Sequence, residues 1–211
     1  MSSNLMRWGG PALILGGLLW GLTYLTELVI GATAGEAAYN RADPSASVLE
    51  WFWPALFMGA IFFLGVGLLG VWVRLEGRSR ILGTLGAFLA CVAIVAASIN
   101  LVLLTGVTGK PTASDGLGFA GVLGVLIGAT LLGIATLRVK VLPRWARFVL
   151  TFLFFAFVPA IIVTIPLEGV VPDYVIADLP FPVVGAVLAS VGYTMLLERT
   201  SAVGRPAPMV G

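Results

Sequence analysis

The sequence predicts an all-α integral membrane protein, a bundle of six transmembrane helices with both termini in the cytoplasm. Three observations lead to this prediction. The 211 residues are 59% hydrophobic and only 10% charged, whereas soluble domains carry about 25% charged residues. Six apolar runs are each long enough to cross a hydrocarbon core of about 30 Å. The basic residues lie almost entirely on one side of these runs, as is typical of cytoplasmic loops.

The six runs form one transmembrane domain over residues 1–211, with short connections between them. We predict spans at approximately residues 8–31, 51–73, 81–105, 116–137, 148–166 and 176–197. Even the shortest run would cover roughly 28 Å as a helix. None of the runs alternates apolar and polar residues, the pattern that a spanning β-barrel requires.

The first run has a second interpretation. Arg7, the apolar stretch and the small residues 32–34 resemble a secretory signal with its cleavage site, and cleavage would leave five spans. However, the run is longer than the about 7–15 apolar residues of a signal, and Glu27 lies close to the supposed site. We therefore expect the first run to remain as a mature helix.

Proline marks two places in the last runs. Pro180 and Pro182 precede most of the sixth apolar run, where proline is tolerated because the first amides of a helix have no intrahelical partner. They predict a helix start. Pro159 lies inside the fifth run and predicts a kink.

The distribution of Lys and Arg predicts the orientation. Ten of the twelve lie at the N-terminus, in the second and fourth connections and at the C-terminus: Arg7, Arg74, Arg78, Arg80, Arg138, Lys140, Arg144, Arg147, Arg199 and Arg205. The other side carries only Arg41 and Lys110, together with most of the acids. By the positive-inside rule, the basic side faces the cytoplasm.

Seven of these basic residues lie in two tight connections and could also bind anionic lipid head groups: Arg74, Arg78, Arg80, Arg138, Lys140, Arg144 and Arg147. Each basic residue near a membrane surface contributes about 1 kcal/mol to such binding. Their role in setting topology accounts for them equally well, so both interpretations stay open.

The absence of histidine excludes several classes of membrane enzyme. It removes axial imidazole ligands for haem, histidine-containing zinc sites and Ser/His or Cys/His dyads. Nucleotide-binding motifs are missing, and the basic residues form no aromatic-rich face of the kind that binds nucleic acid. We expect no catalytic residue, no metal, no cofactor and no nucleic-acid partner. Cys91, the single cysteine, is expected to be a small packing residue.

Glycines recur on single faces of three runs: Gly17 and Gly21 in the first, Gly83 and Gly86 in the third, and Gly121, Gly124 and Gly128 in the fourth. Such faces let helix backbones approach closely. They could form a dimer interface, but in a six-helix chain we expect them to pack the bundle internally. The fourth run, with three glycines, is predicted to be central.

One acid within a span suggests a binding site. Glu27 lies about one turn from the outer end of the first run, close to Thr23 and Tyr24. The third and fifth runs bring Asn100 and Thr164 to a similar depth. These residues could form a shallow, outward-facing pocket for a cation or an amine. Alternatively, Glu27 only hydrogen-bonds to neighbouring helices or pairs with Arg41, which we favour.

Two short stretches resemble small polytopic bacterial inner-membrane proteins of unassigned function. They are Arg7-Trp8-Gly9-Gly10 leading into Gly16-Gly17 and Trp20, and Leu142-Pro143-Arg144-Trp145 before the fifth run. The resemblance implies a multi-pass protein of a bacterial cytoplasmic membrane. It carries no activity and no site residue.

These observations favour a non-enzymatic structural or accessory membrane protein, or a subunit that binds another membrane protein. A small transporter or channel-like protein using the pocket around Glu27 is the first alternative, and a lipid-acting membrane enzyme is the second. A cavity lined by Glu27, Asn100 and Thr164 would favour transport, and a dry, glycine-packed centre would favour the structural role.

Overall fold

The computed structural model describes residues 2–35, 47–75, 77–106, 114–164, 175 and 180–203. Over these residues it is all-helical, with six long helices: α1 (Ser2–Ala34), α2 (Ser47–Arg74), α3 (Arg80–Leu104), α4 (Asp115–Val139), α5 (Arg144–Thr164) and α6 (Pro180–Val203). Five of them contain segments long and apolar enough to cross a membrane: Leu5–Thr33, Phe52–Arg74, Arg80–Leu104, Gly116–Val139 and Phe181–Glu198. A helical bundle of the membrane type is thus confirmed.

The second, third and fourth helices begin and end within about four residues of the predicted spans, whereas α1 begins six residues earlier than predicted and α6 ends six residues later. The predicted fifth span overlaps α5 as far as Thr164, and residues 165–166 and 176–179 lie outside the described residues. The sixth helix begins at Pro180, so the prediction that proline opens this helix is confirmed. Pro159 lies within α5, but its side chain is not among those described, so the kink stays a prediction.

Neighbouring helices in the chain are antiparallel and pack in the order α6, α1, α2, α3, α4, α5. The second helix contacts α1, α3 and α4, and the fourth contacts α2, α3 and α5. The prediction that the fourth run is central is therefore confirmed, but α2 shares this position. We call the end that carries Arg74, Arg80, Arg138 and Arg144 the basic end, and the opposite end the acidic end.

Glycines bring α1 and α6 into backbone contact. Gly10 and Gly17, two turns apart on α1, face Gly192 and Gly185, two turns apart on α6. A Cβ atom at Gly10 would lie 3.0 Å from the carbonyl oxygen of Gly192, and one at Gly192 would lie 2.8 Å from the amide nitrogen of Ile14. We call these four glycines the glycine seam. The seam confirms that Gly17 serves internal packing.

The glycines of α3 and α4 also pack internally. A Cβ atom at Gly86 would lie 3.1 Å from the carbonyl oxygen of Gly128, and one at Gly124 would lie 2.8 Å from that of Leu89. Gly121 faces a side chain of α2 instead, because a Cβ atom there would lie 3.0 Å from Cγ2 of Ile61. Internal packing, rather than a dimer interface, is therefore what these faces provide in the described bundle.

Large apolar side chains cover the outside of the bundle. Trp8, Leu18, Ile81, Phe88 and Phe119 are all at least 60% exposed, and soluble proteins rarely expose so much contiguous apolar surface. Such a surface is typical of a helical bundle that lies in a bilayer. The prediction that Cys91 is a packing residue was wrong: its side chain is exposed on this outer surface, because it lies on the face of α3 opposite the alanines and glycines that contact α2 and α4.

Candidate functional site

Five aromatic side chains of α1, α2 and α6 pack together towards the acidic end. We call Trp20, Tyr24, Trp53, Phe57 and Phe181 the aromatic cluster. Tyr24 stacks on Phe181 with the ring centroids 4.1 Å apart, and Trp53 stacks on Phe57 at 5.2 Å. Trp20 lies 5.5 Å from Phe57 and 5.6 Å from Tyr24. At these distances the rings are in direct contact. No space for a ligand is left between the contacting rings.

Three members of the cluster are buried in the bundle, and Trp53 and Phe181 are half-buried. Trp20 is fully buried, and Tyr24 and Phe57 are each 8% exposed. The indole nitrogen of Trp20 has no hydrogen-bond partner within the described chain. Spacing could have predicted part of this arrangement, because Trp20 and Tyr24, like Trp53 and Phe57, are four residues apart and share a helix face.

Three of the predicted site residues belong to α1 beside this cluster. Thr23 is fully buried, and its hydroxyl donates a hydrogen bond to the carbonyl oxygen of Leu19 at 2.8 Å. Tyr24 is part of the cluster. Glu27 is half-buried one turn further towards the acidic end and interacts with other residues of the chain. The structure therefore brings Thr23, Tyr24 and Glu27 to one stretch of α1, as predicted.

Asn100 of α3 serves a different contact. Its side-chain Oδ1 accepts a hydrogen bond from the amide of Ser114 at 2.8 Å, and its Nδ2 donates to the carbonyl oxygen of Ser114 at 3.1 Å. Nδ2 also lies 3.4 Å from the sulfur of Met58. Ser114 in turn caps α4, because its Oγ accepts a hydrogen bond from the amide of Leu117 at 3.4 Å. Asn100 thus fastens the start of α4 to α3.

Helix α2 separates Asn100 from the residues of α1. Phe57 contacts Trp20 and Tyr24, whereas its neighbour Met58 contacts Asn100. Thr164 lies in the last turn of α5, and its side chain is outside the described residues. Of the five predicted site residues, only those of α1 are seen together, and ligand binding by any of them stays a prediction.

At the basic end, Arg74 joins α2 to α6. Its Nη1 forms an ion pair with Oε2 of Glu198 at 2.9 Å, and its Nη2 donates a hydrogen bond to the carbonyl oxygen of Met195 at 2.6 Å. The Arg74 side chain is only 10% exposed. The guanidinium of Arg74 is therefore occupied by Glu198 and Met195. Little of it is left for a lipid head group.

The other basic side chains of the two connections are exposed, except that of Arg147, which is half-buried with its Nε atom buried. The guanidinium of Arg144 stands 5.7 Å from the ring centre of Phe148, a cation–π arrangement. Arg78, Arg80, Arg138 and Lys140 are exposed. The described residues contain no group of three or more Cys, Asp or Glu side chains that could share a metal ion. The candidate sites are thus the aromatic cluster with Glu27 and the exposed part of the basic end.

No known protein family, curated protein or solved structure matches the chain, so its function is argued from its own residues.

Proposed function

We propose that the chain is a non-enzymatic structural or accessory protein of a bacterial cytoplasmic membrane, which acts through a partner membrane protein. The observation that carries this proposal is the close packing of the middle of the bundle. Leu13, Ile61, Leu64, Leu126 and Leu132 are at most 1% exposed there, and glycine contacts bring the helix backbones together around them. A packed centre provides a rigid body rather than a path for a solute.

The polar side chains of the spans support the same proposal. Thr23, Ser98 and Thr151 each donate a hydrogen bond to a carbonyl oxygen four residues earlier in their own helix. The side-chain amide of Asn100 donates one hydrogen bond to the backbone of Ser114 and accepts another from it. Polar groups that are satisfied inside the protein stabilise the bundle but present nothing to a ligand.

The proposal includes a topology. We infer that α5 is the sixth span, in addition to the five helices that contain segments long and apolar enough to cross a membrane. Helix α5 contains 21 residues, which is about the length needed to cross a bilayer. Its first turn carries Arg144 and Arg147 at the basic end. With six spans and the basic end inside, both termini face the cytoplasm.

A second candidate function is a transporter for organic cations. Glu27 lies one turn from Tyr24 on α1, and a carboxylate near aromatic rings is a typical environment for an amine or a quaternary ammonium group. In the described residues the rings already fill the space between them, so this function would require the cluster to open.

Flux measurements distinguish the two candidates. Purified protein in proteoliposomes is tested with monovalent cations, alkylamines and quaternary ammonium ions, for the wild type, Glu27→Gln and the control Glu50→Gln, which removes an acid at the start of α2. The structural proposal predicts that none of the three exceeds empty liposomes. Wild-type flux that is abolished by Glu27→Gln and retained by Glu50→Gln would contradict it and support transport.

A further inference from the structure

A cavity of about 270 Å³ lies at the basic end, between the last turn of α2 and the first turn of α3. Its lining consists of Trp72, Val73, Leu75, Gly77, Ser79, Arg80 and Thr84. The connection is tight here: the amide of Leu75 donates to the carbonyl oxygen of Trp72, and the amide of Arg78 donates to that of Leu75. Gly77 has a φ of 73°, which glycine adopts without steric cost.

Trp72 and Leu75 pack against α3 and form an apolar wall of this cavity. A Cβ atom at Gly83 would lie 3.1 Å from Cδ1 of Leu75 and 3.5 Å from Cδ1 of Trp72. The missing side chain of Gly83 therefore makes room for both residues. Leu75 is fully packed, whereas Trp72 remains 39% exposed and forms a side of the cavity that faces outwards.

A positive charge lies in the lining of the cavity, because Arg80 is one of its residues. Arg74 and Arg78 belong to the same connection between α2 and α3. Arg74 is occupied by Glu198 and Met195. Arg80 lines the cavity, is exposed and makes no ion pair with a described acid. Its guanidinium is therefore available to an anion, and guanidinium groups match phosphate oxygens in geometry and charge.

Two hydroxyl groups beside Arg80 lack the contacts that other hydroxyls of the bundle make. Ser79 precedes α3, but its side chain accepts no capping hydrogen bond, unlike Ser114 at the start of α4. The hydroxyl of Thr84 makes no hydrogen bond to a described residue, whereas that of Ser98 in the same helix bonds back to Ile94. Both residues line the cavity, and a hydroxyl group can donate to an oxygen of a ligand.

An apolar track leads away from the cavity. Ile81, Leu85 and Phe88 lie on one face of α3, at spacings of four and three residues, and are 77%, 49% and 62% exposed. They extend from the cavity towards the middle of the span. A ligand that fits both parts carries an anionic group joined to a long apolar chain, which describes a phospholipid rather than a free anion.

We propose that this cavity binds the phosphate group of an anionic phospholipid. Arg80, Ser79 and Thr84 hold the phosphate oxygens, Trp72 packs on the glycerol region, and one acyl chain follows Ile81, Leu85 and Phe88. The basic end therefore contains one specific lipid site instead of a uniform attraction shared by seven basic residues. This inference does not depend on the structural or accessory function, since a transporter could contain the same site.

Native mass spectrometry of the purified full chain tests the proposal. The protein is titrated with phosphatidylglycerol and, in parallel, with phosphatidylcholine of the same chain length. The variants are Arg80→Gln and Thr84→Val, and the matched control is Arg138→Gln, which removes an exposed arginine of the same end outside the cavity. Circular dichroism and thermal melting establish that each variant is folded.

If the cavity is the proposed site, the wild-type protein binds one molecule of phosphatidylglycerol more tightly than it binds phosphatidylcholine. Arg80→Gln should weaken this binding about fivefold, the factor that one basic residue near the membrane surface contributes. Thr84→Val should weaken it about two- to fivefold through the loss of one hydrogen bond, and Arg138→Gln by less than twofold. Because Thr84 is exposed, its variant keeps the test valid if Arg80→Gln fails to fold.

Three results would overturn the proposal. Equal losses for Arg80→Gln and Arg138→Gln would mean diffuse attraction to the whole basic end. Equal binding of the two lipids in the wild type would mean that the head group is not recognised. Complete displacement of phosphatidylglycerol by millimolar inorganic phosphate or glycerol phosphate would mean a site for a soluble phosphate and not for a lipid.

Discussion

Asn100 illustrates how a single polar side chain in a span can serve the fold. An amide in an apolar run is a reasonable candidate for ligand binding, because burial of an unsatisfied amide is costly. In the structure the cost is avoided within the chain, since Asn100 hydrogen-bonds to both backbone groups of Ser114. Sequence alone could not identify this partner, because Ser114 follows after a connection whose path no local pattern determines.

The variant Asn100→Ala is predicted to lower the free energy of unfolding by about 1–3 kcal/mol, because it leaves the amide of Ser114 without its partner. The carbonyl oxygen of Ser114 still accepts a hydrogen bond from the amide of Gly118. The control Ser98→Ala, in the same helix, removes only a hydrogen bond within α3 and should change the free energy of unfolding by less than about 0.5 kcal/mol. Unfolding in mixed micelles, titrated with SDS, measures both. Equal losses would contradict the anchoring role of Asn100.

Helix positions were largely predictable, whereas helix partners were not. The length of each apolar run and the charges at its ends locate α2 to α4 within a few residues, because the bilayer itself sets these limits. The glycine faces correctly indicated close internal packing. They did not indicate which helix each face contacts, so the pairing of Gly10 and Gly17 with Gly192 and Gly185 could be found only in the structure.

The glycine seam provides a prediction at this scale. In Gly17→Ala the new methyl group meets the carbonyl oxygen of Gly185 and the amide nitrogen of Ala189, so α1 and α6 must separate. This should lower the free energy of unfolding by about 1–3 kcal/mol. In the matched variant Gly21→Ala, the nearest neighbouring atom is the carbonyl oxygen of Pro182, 3.8 Å away.

Gly21→Ala should therefore be neutral or stabilising by up to about 1 kcal/mol, because alanine favours helix over glycine. The same SDS titration in mixed micelles compares the two variants. If both lowered stability by the same amount, helix propensity or the detergent would explain the effect, and the close contact between α1 and α6 would not.

At the scale of the whole molecule, the bundle is closely packed between its two ends. The aromatic cluster fills the space between α1, α2 and α6 towards the acidic end, and buried leucines with glycine contacts fill the middle. The sequence predicted the polar residues of α1 that could have lined a pocket. It could not predict that Phe57 and Phe181 occupy the space beside them, because these residues come from distant parts of the chain.

Thiol accessibility from water tests this claim most directly. Cys91 is first replaced by alanine, a mild change at a lipid-facing position. Thr23→Cys and Thr33→Cys are then introduced on that background, because Thr23 is fully buried whereas Thr33 is exposed at the end of α1. Proteoliposomes are treated with a charged, membrane-impermeant methanethiosulfonate reagent. We predict that Thr33→Cys reacts and Thr23→Cys does not, and comparable rates at both positions would contradict a packed centre.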